Sequence, residues 1–270
     1  MSKLNIAKQL AALSSESKES KPVIVAYGLM NAGKSSLLNM LTAHIEQEFF
    51  KTNDVRETAE VKRFESEKYV YLDTPGLDAN DLDDELAESG VSNADVVLFL
   101  HQPQGALEAN EISFLKNLKK SFGDLAQSNI ILALSKIEKE SAEKIALIED
   151  EIKKQCEAEL NFSPRIFRIS NKRYQTGIMK HKDGLVNQSH IKSLIEYIDT
   201  VTPNSMLVRK QRNLVKIDQL LVELTAQKEH LEQKRRTVTH TIEQGFSVFG
   251  EQIELLNNFL DESSQQYQAI

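Results

Sequence analysis

Lys34 and Ser35 close the run Gly28-Leu29-Met30-Asn31-Ala32-Gly33-Lys34-Ser35, and Asp73-Thr74-Pro75-Gly76 follows further along the chain. Gly28 and Gly33 let the backbone turn its N–H groups inward, where a side chain would block a phosphate. A lysine directly after the second glycine reaches β- and γ-phosphate oxygens, and the next hydroxyl ligates Mg2+. An acid such as Asp73, at the end of the neighbouring strand, holds the same ion through water. Gly76 has no side chain, so its N–H can approach a γ-phosphate. The chemistry implied is binding and transfer of the terminal phosphoryl group of a nucleoside triphosphate.

These residues work only if a strand delivers them and a helix receives them. The apolar run Pro22–Tyr27 reads as that strand, and Leu37, Leu38, Met40 and Leu41 begin a helical pattern. A helix starting at Lys34 adds partial positive charge where the phosphates sit. Strands are expected over 22–27, 59–65, 68–73, 95–101, 129–135 and 165–170, and helices over 34–48, 80–91, 108–121, 140–160 and 187–201. Several strands are almost wholly apolar, as in a sheet covered on both faces. Their alternation with helices predicts an α/β fold with a doubly wound, mostly parallel sheet. Only Ser66 and Glu67 separate 59–65 from 68–73, which predicts one antiparallel hairpin.

The segment Gly28–Asn39 together with Asp73-Thr74-Pro75-Gly76 resembles the Era-like and dynamin-like branch of the translation-factor-related GTPases, including bacterial dynamin-like proteins. The resemblance covers residues 22 to about 200. It implies a Ras-like domain, GTP as substrate, Mg2+ as cofactor, and GDP and phosphate as products. Gly28, Met30, Asn31, Ala32, Gly33, Lys34, Ser35 and Ser36 would wrap the phosphates. Ser35, Thr58 and Asp73 would serve the metal. Lys34, Asn31, Thr58 and Gly76 would serve hydrolysis. Thr58 stands where the family places its switch threonine, and Thr52 is the other candidate. Asn31 matches the asparagine that helps some Era-like members hold K+, which implies K+-stimulated turnover.

Base recognition departs from the family. Ser135-Lys136-Ile137-Glu138 replaces Asn-Lys-x-Asp. Glu138 offers the acceptors for guanine N1–H and N2–H on a longer stem, and Lys136 would pack along the base. Ser135 lacks the amide that ties the neighbouring loops together. Ser170-Asn171-Lys172 resembles the last family motif, whose backbone N–H meets guanine O6. Guanine is therefore expected, with adenine as the minor reading. Leu77 stands where Ras-type members carry a water-orienting glutamine, so turnover is expected to be slow unless stimulated. An assembly module that binds nucleotide with little turnover stays open beside the enzyme.

The 270 residues carry a formal net charge of −7 and one cysteine, Cys156. The charge argues against a dedicated nucleic-acid binder, and the lone cysteine excludes an internal disulfide. No apolar run approaches the ~20 residues that cross a bilayer. A cytoplasmic protein is expected, with peripheral association at a membrane left open. Residues 1–20 read as an N-terminal helix and linker, 21–203 as the GTPase domain, and 204–270 as a helical neck or coiled coil. Within the neck, Leu214, Ile217, Leu221, Leu224, Leu231 and Val238 form one stripe, and Phe246, Phe249, Ile253, Leu256 and Leu260 another. The first stretch is rich in lysine and arginine, and the chain after Thr237 has acids but neither of them. An antiparallel helical hairpin is expected, as is association with a second copy or a related helical chain.

Overall fold

Val23, Val25 and Tyr27 bury on one face of a strand, and Ile24 and Ala26 bury on the other. That double burial explains an apolar run without polar alternation. The computed structural model describes residues 20–52, 61–74 and 94–268. The strands are β1 (Val23–Gly28), β2 (Lys62–Glu65), β3 (Val70–Asp73), β4 (Val96–His101), β5 (Ile130–Leu134) and β6 (Arg165–Arg168). They form one sheet in the order β2-β3-β1-β4-β5-β6. All neighbours run parallel except β2 and β3. This is the Ras-like arrangement expected.

The helices are α1 (Lys34–Leu41), α2 (Ala109–Phe122), α3 (Ala126–Asn129), α4 (Ala142–Leu160), α5 (Asn171–Met179), α6 (Asp183–Gln188), α7 (Ile191–Val201) and α8 (Ser205–Gln268). On one face of the sheet, Phe114, Leu115 and Phe122 of α2 and Ile145, Ile148 and Ile152 of α4 pack against Tyr27, Val97 and Phe99. On the other, Leu37 and Leu38 of α1 and Ile191, Leu194 and Ile198 of α7 pack against Ile24, Ala26 and Leu98. Cys156 is buried in the first of these layers, where burial pushes its thiol up to about 11. That environment suits a packing role.

The helix expected over 34–48 stops at Leu41. Thr42 turns its hydroxyl onto the Leu38 carbonyl at 2.8 Å, and Ala43 adopts a positive φ. The buried Asn39 side chain then holds Phe50 by both its N–H (2.9 Å) and its carbonyl (2.7 Å). The helix expected over 187–201 is two helices, α6 and α7, divided at His190 with φ 56°. Helix α5 was not anticipated. Its signal is Ser170, whose hydroxyl caps the Arg173 N–H at 3.1 Å. Gly177 lets α5 approach α6, since a Cβ there would stand 2.7 Å from Val186 Cγ2.

The described residues fall into two compact units, up to Lys216 and from Ile217 onward. The hairpin expected after residue 204 does not form: α8 is a single helix of 64 residues. Gly245 and Gly250 lie inside it, and Thr237 and Thr241 return their hydroxyls to the carbonyls four residues back. Those bonds satisfy the threonine hydroxyls within a helix that runs on through them. In the second unit Leu221, Leu231, Val238, Phe246, Phe249 and Leu256 are all exposed. The expected N-terminal helix, the helix over 80–91, Thr58, Gly76 and Leu77 lie outside the described residues.

Candidate nucleotide-binding site

β1 delivers the chain into the loop 28–33, and α1 begins at Lys34. Gly28 has φ 144°, and a Cβ on it would lie 2.2 Å from the Leu100 carbonyl oxygen. Only glycine fits that turn beside β4. Gly33 has φ 94°, and Asn31 sits at φ 61°. Met30 and Asn31 are exposed, Ala32 is buried, and Ser36 is half-buried. Lys34 is buried and donates to the carbonyls of Gly28 and Leu29, each at 3.0 Å.

The parallel register sets Asp73 of β3 opposite Ala26 of β1, close to the loop. The Ser35 hydroxyl donates to Asp73 Oδ2 at 2.6 Å. Asp73 Oδ1 is buried with no hydrogen-bond partner. Burial pushes this carboxyl above its usual range, against the Ser35 bond and the charges of Lys34 and Lys62. A hydroxyl and an under-solvated carboxylate oxygen side by side suit a hard, oxygen-seeking cation, so the residues fit Mg2+. The ion would be held by Ser35, directly or through water by Asp73, and would neutralise phosphate charge. Thr74 turns its hydroxyl onto the Ala26 carbonyl at 2.9 Å, which holds the end of β3 against β1. Thr52 bonds Glu48 through its hydroxyl at 2.7 Å. Among the described residues no cluster of three or more histidines, cysteines and acids could hold a metal.

The base-side loops meet the phosphate loop from the other direction. Ser135 is fully buried and donates its hydroxyl to the Ala32 carbonyl at 2.7 Å. Ser135 lacks an amide, as the sequence shows, but its hydroxyl still reaches the phosphate loop. Lys136, with φ 55°, donates to the Asn31 carbonyl, as does Gln102 at 2.9 Å. Asn171 Nδ2 donates to the Gly33 carbonyl at 3.2 Å. Glu138 Oε2 and Asn171 Oδ1 are buried without partners. Lys172 is exposed on the first turn of α5. The Ser170 backbone N–H is taken by the Ser189 carbonyl at 3.1 Å. Of the Ser170–Lys172 run, the side chain of Asn171 is the group brought to the loop.

Sequence reasoning passed over two buried clusters. His101 at the end of β4 bonds Glu111 through Nδ1 at 2.9 Å and the Gly105 carbonyl through Nε2 at 3.0 Å. Burial opposes its charge, but the Glu111 bond and charge override it and hold the imidazole above its ordinary pKa. At the opposite ends of the strands, Asp95 is buried and accepts from the Val23 N–H at 2.8 Å and from Arg209. Arg209 also donates to the Lys21 carbonyl at 3.0 Å. Arg212 donates to the Ala94 carbonyl and covers the Phe122 ring at 4.1 Å. In the sequence both arginines look like members of a solvated basic face.

A glycine-ended loop between strand and helix, with a lysine inside it and a serine–aspartate pair beside it, defines a P-loop nucleotide-binding domain. Residues 23–136 match the family model of the 50S ribosome-binding GTPases. An uncharacterised protein of Acinetobacter baylyi is 30% identical over 238 residues, which cover 83% of this chain and 54% of that one. GTPase Era of Coxiella burnetii is 30% identical over 146 residues, 48% of this chain and 46% of its own length. The chain thus spans about half the length of the curated relatives it matches. A bacterial dynamin, solved as part of an oligomerised pair described as sensing and tethering membranes, superposes with a TM-score of 0.54 at 15% identity. That superposition covers 97% of this chain and 50% of that one. The match to residues 23–136 and the likeness to Era make this segment a translation-factor-related P-loop GTPase domain. The wider chain shares its fold with a bacterial dynamin.

Proposed function

We propose that this protein is a Mg2+-dependent GTP hydrolase that works as a conformational switch of the dynamin-like kind. Its helical neck, 204–270, would pass nucleotide state from the GTPase domain, 21–203, to a partner or a membrane, with 1–20 as the preceding helix and linker. The observation that carries this reading is the placement of contacts on β1. Its C-terminal end opens into the phosphate loop, and its first residue, Val23, is bonded to Asp95, which Arg209 of α8 grips. A shift of the loop on γ-phosphate binding therefore has a short, hydrogen-bonded route to the base of α8.

Lys34 would stabilise the transferring phosphoryl group, Ser35 and Asp73 would hold Mg2+, and Glu138 with Lys136 would select guanine. Thr58 would serve the ion and Gly76 the γ-phosphate, the roles that the resemblance implies. Asn31 would help to hold a K+ ion, which would supply positive charge beside the phosphates. Turnover by the isolated protein is slow and is raised by self-association, by a related helical chain, or by a membrane reached peripherally from the cytoplasm. No helix among the described residues is long and apolar enough to cross a membrane. The exposed apolar residues of the second unit favour helix–helix association.

The test is multiple-turnover phosphate release with GTP and ATP, in KCl and NaCl, for wild type and Lys34→Ala. GTP-specific release that falls at least about 100-fold in Lys34→Ala supports the enzyme. Equal rates in KCl and NaCl would remove the role given to Asn31. GTP binding with release no greater than that of Lys34→Ala would favour the second reading, a nucleotide-gated assembly module. Leu77, an aliphatic residue where water needs orienting, is the feature that keeps that reading in play.

A further inference from the structure

Three consecutive carbonyls of the phosphate loop each accept a hydrogen bond from a residue that follows β4, β5 or β6. Asn31 O accepts from Gln102 and Lys136, Ala32 O from Ser135, and Gly33 O from Asn171. A peptide carbonyl turned outward sends the N–H of its own peptide unit the other way, so the bonds on Ala32 O and Gly33 O hold the N–H groups of residues 33 and 34 inward, while the Ala32 N–H donates to the Leu29 carbonyl at 3.2 Å. The loops that supply them are themselves joined. Ile169 N–H donates to the Leu134 carbonyl at 2.7 Å, and Ile137 N–H donates to the Ile169 carbonyl at 3.4 Å.

Ser135 has a single O–H, placed 2.7 Å from the Ala32 carbonyl and 3.3 Å from the His101 carbonyl, and it points at the nearer of the two. A carboxamide at the same place would bring two N–H hydrogens and an acceptor. Asn171 brings the missing carboxamide from a different strand end. It stands at the first position of α5, just past β6, and Ser170 fixes its direction by capping that helix. A Cβ on Gly33 would lie 3.4 Å from Asn171 Nδ2, so the amide lies directly against the loop. Its Oδ1 is buried without a partner.

We infer that Asn171 is a positioning residue for the nucleotide: its carboxamide, through the Gly33 carbonyl, takes over from β6 the loop-tying role that Ser135 performs only in part. The inference rests on the nucleotide-binding reading above. Residue 171 enters that reading through its backbone, whereas here the side chain acts. Loss of the side chain leaves the Gly33 carbonyl with the Leu37 N–H of α1, at 2.9 Å, and nothing from the β6 side, so the loop is held less firmly and bound nucleotide escapes faster. Because Ser135 and Asn171 hold adjacent carbonyls of one loop, their effects are coupled.

The experiment is release of a fluorescent GDP from the full chain, with Mg2+ present, for wild type, Asn171→Ala, Ser135→Asn and the double variant, beside melting of each nucleotide-free protein. Asn171→Ala is expected to release GDP about tenfold faster, the equivalent of one hydrogen bond at about 1.4 kcal/mol. Its nucleotide-free melting temperature is expected to stay within about 2 °C of wild type. Ser135→Asn placed in Asn171→Ala is expected to bring release back to within about threefold of wild type, since the carboxamide is restored from β5. Release from Asn171→Ala within twofold of wild type would overturn the inference. So would faster release accompanied by a matching loss of nucleotide-free stability, which marks a merely structural residue. Failure of the wild type to bind GDP would instead strike the nucleotide-binding reading.

Discussion

Ser35 donates its hydroxyl to Asp73 Oδ2 at 2.6 Å, and the other oxygen of Asp73 is left buried without a partner. The two residues come from α1 and the end of β3, far apart in the chain and adjacent in space. The pair has a hydroxyl oxygen and a carboxylate oxygen ready for a cation, at a cost to the protein that holds none. Burial raises the Asp73 carboxyl, so its contribution to stability is complete below its unfolded value and is lost as pH rises through the folded one.

Asp73→Asn follows from that cost. At neutral pH the uncharged side chain is cheaper to bury, although its N–H group also needs a partner. The nucleotide-free variant is expected to melt higher by about 2–4 °C, near 1 kcal/mol for a chain of this size. Mg2+-dependent affinity for GDP is expected to fall at least about tenfold. Calorimetric melting with and without Mg2+ and GDP checks both. A nucleotide-free variant that melts below wild type would contradict the first part.

Gly28→Ala is expected to be severe. The added Cβ meets the Leu100 carbonyl oxygen at 2.2 Å, and φ at 144° is one that alanine rarely adopts. Backbone must shift at both β1 and β4, which costs about 2–4 kcal/mol. Urea unfolding with the midpoint little changed would show that the loop relaxes more easily than this.

Arg209→Ala strips a buried partner from Asp95. Breaking a buried ion pair on one side costs about 3–5 kcal/mol, because the surviving charge stays buried. Burial already pushes Asp95 above its usual range, with Arg209 and the Val23 N–H acting against it. Asp95→Asn in the same background is expected to recover part of the loss, so the two changes are not additive. A double-mutant cycle in urea measures this, and simple additivity would dissolve the coupling.

His101 predicts a pH dependence. Its pKa is raised above 6.5 by Glu111, with Glu108 adding to the effect and burial opposing it. The stabilisation is complete below about 6.5 and is lost as pH rises through the folded value. Glu111→Gln is expected to lower the His101 pKa and to flatten the fall in stability on the alkaline side. Titration of the His101 ring protons by NMR gives the direction, and an unchanged pKa in Glu111→Gln would sink the assignment.

Much of the phosphate side was legible because it is local. Gly28, Gly33, Lys34 and Ser35 lie within eight consecutive residues, and a strand followed by a helix is enough to aim them. The order of strands was legible only as a class. Boundaries failed where side chains from afar decided them: Asn39 holding Phe50 ended α1 early, and Gly177 against Val186 made room for α5. The neck was read as two helices from its charge change, which says nothing about a break in the backbone. Two glycines without proline did not make a turn there.

The sequence by itself determined a phosphate loop, an acid at a strand end, a doubly wound sheet and a long helical segment, because each follows from spacing within a few turns of chain. The tertiary structure alone decided what meets the loop from outside. Placing β5 and β6 beyond β4 in the sheet put Ser135 and Asn171 against two successive carbonyls. Burying Asp95 at the foot of β4 gave Arg209 a partner. Those contacts join residues more than a hundred positions apart. A hydrogen bond across such a distance is set by strand order and packing, and no local pattern carries it.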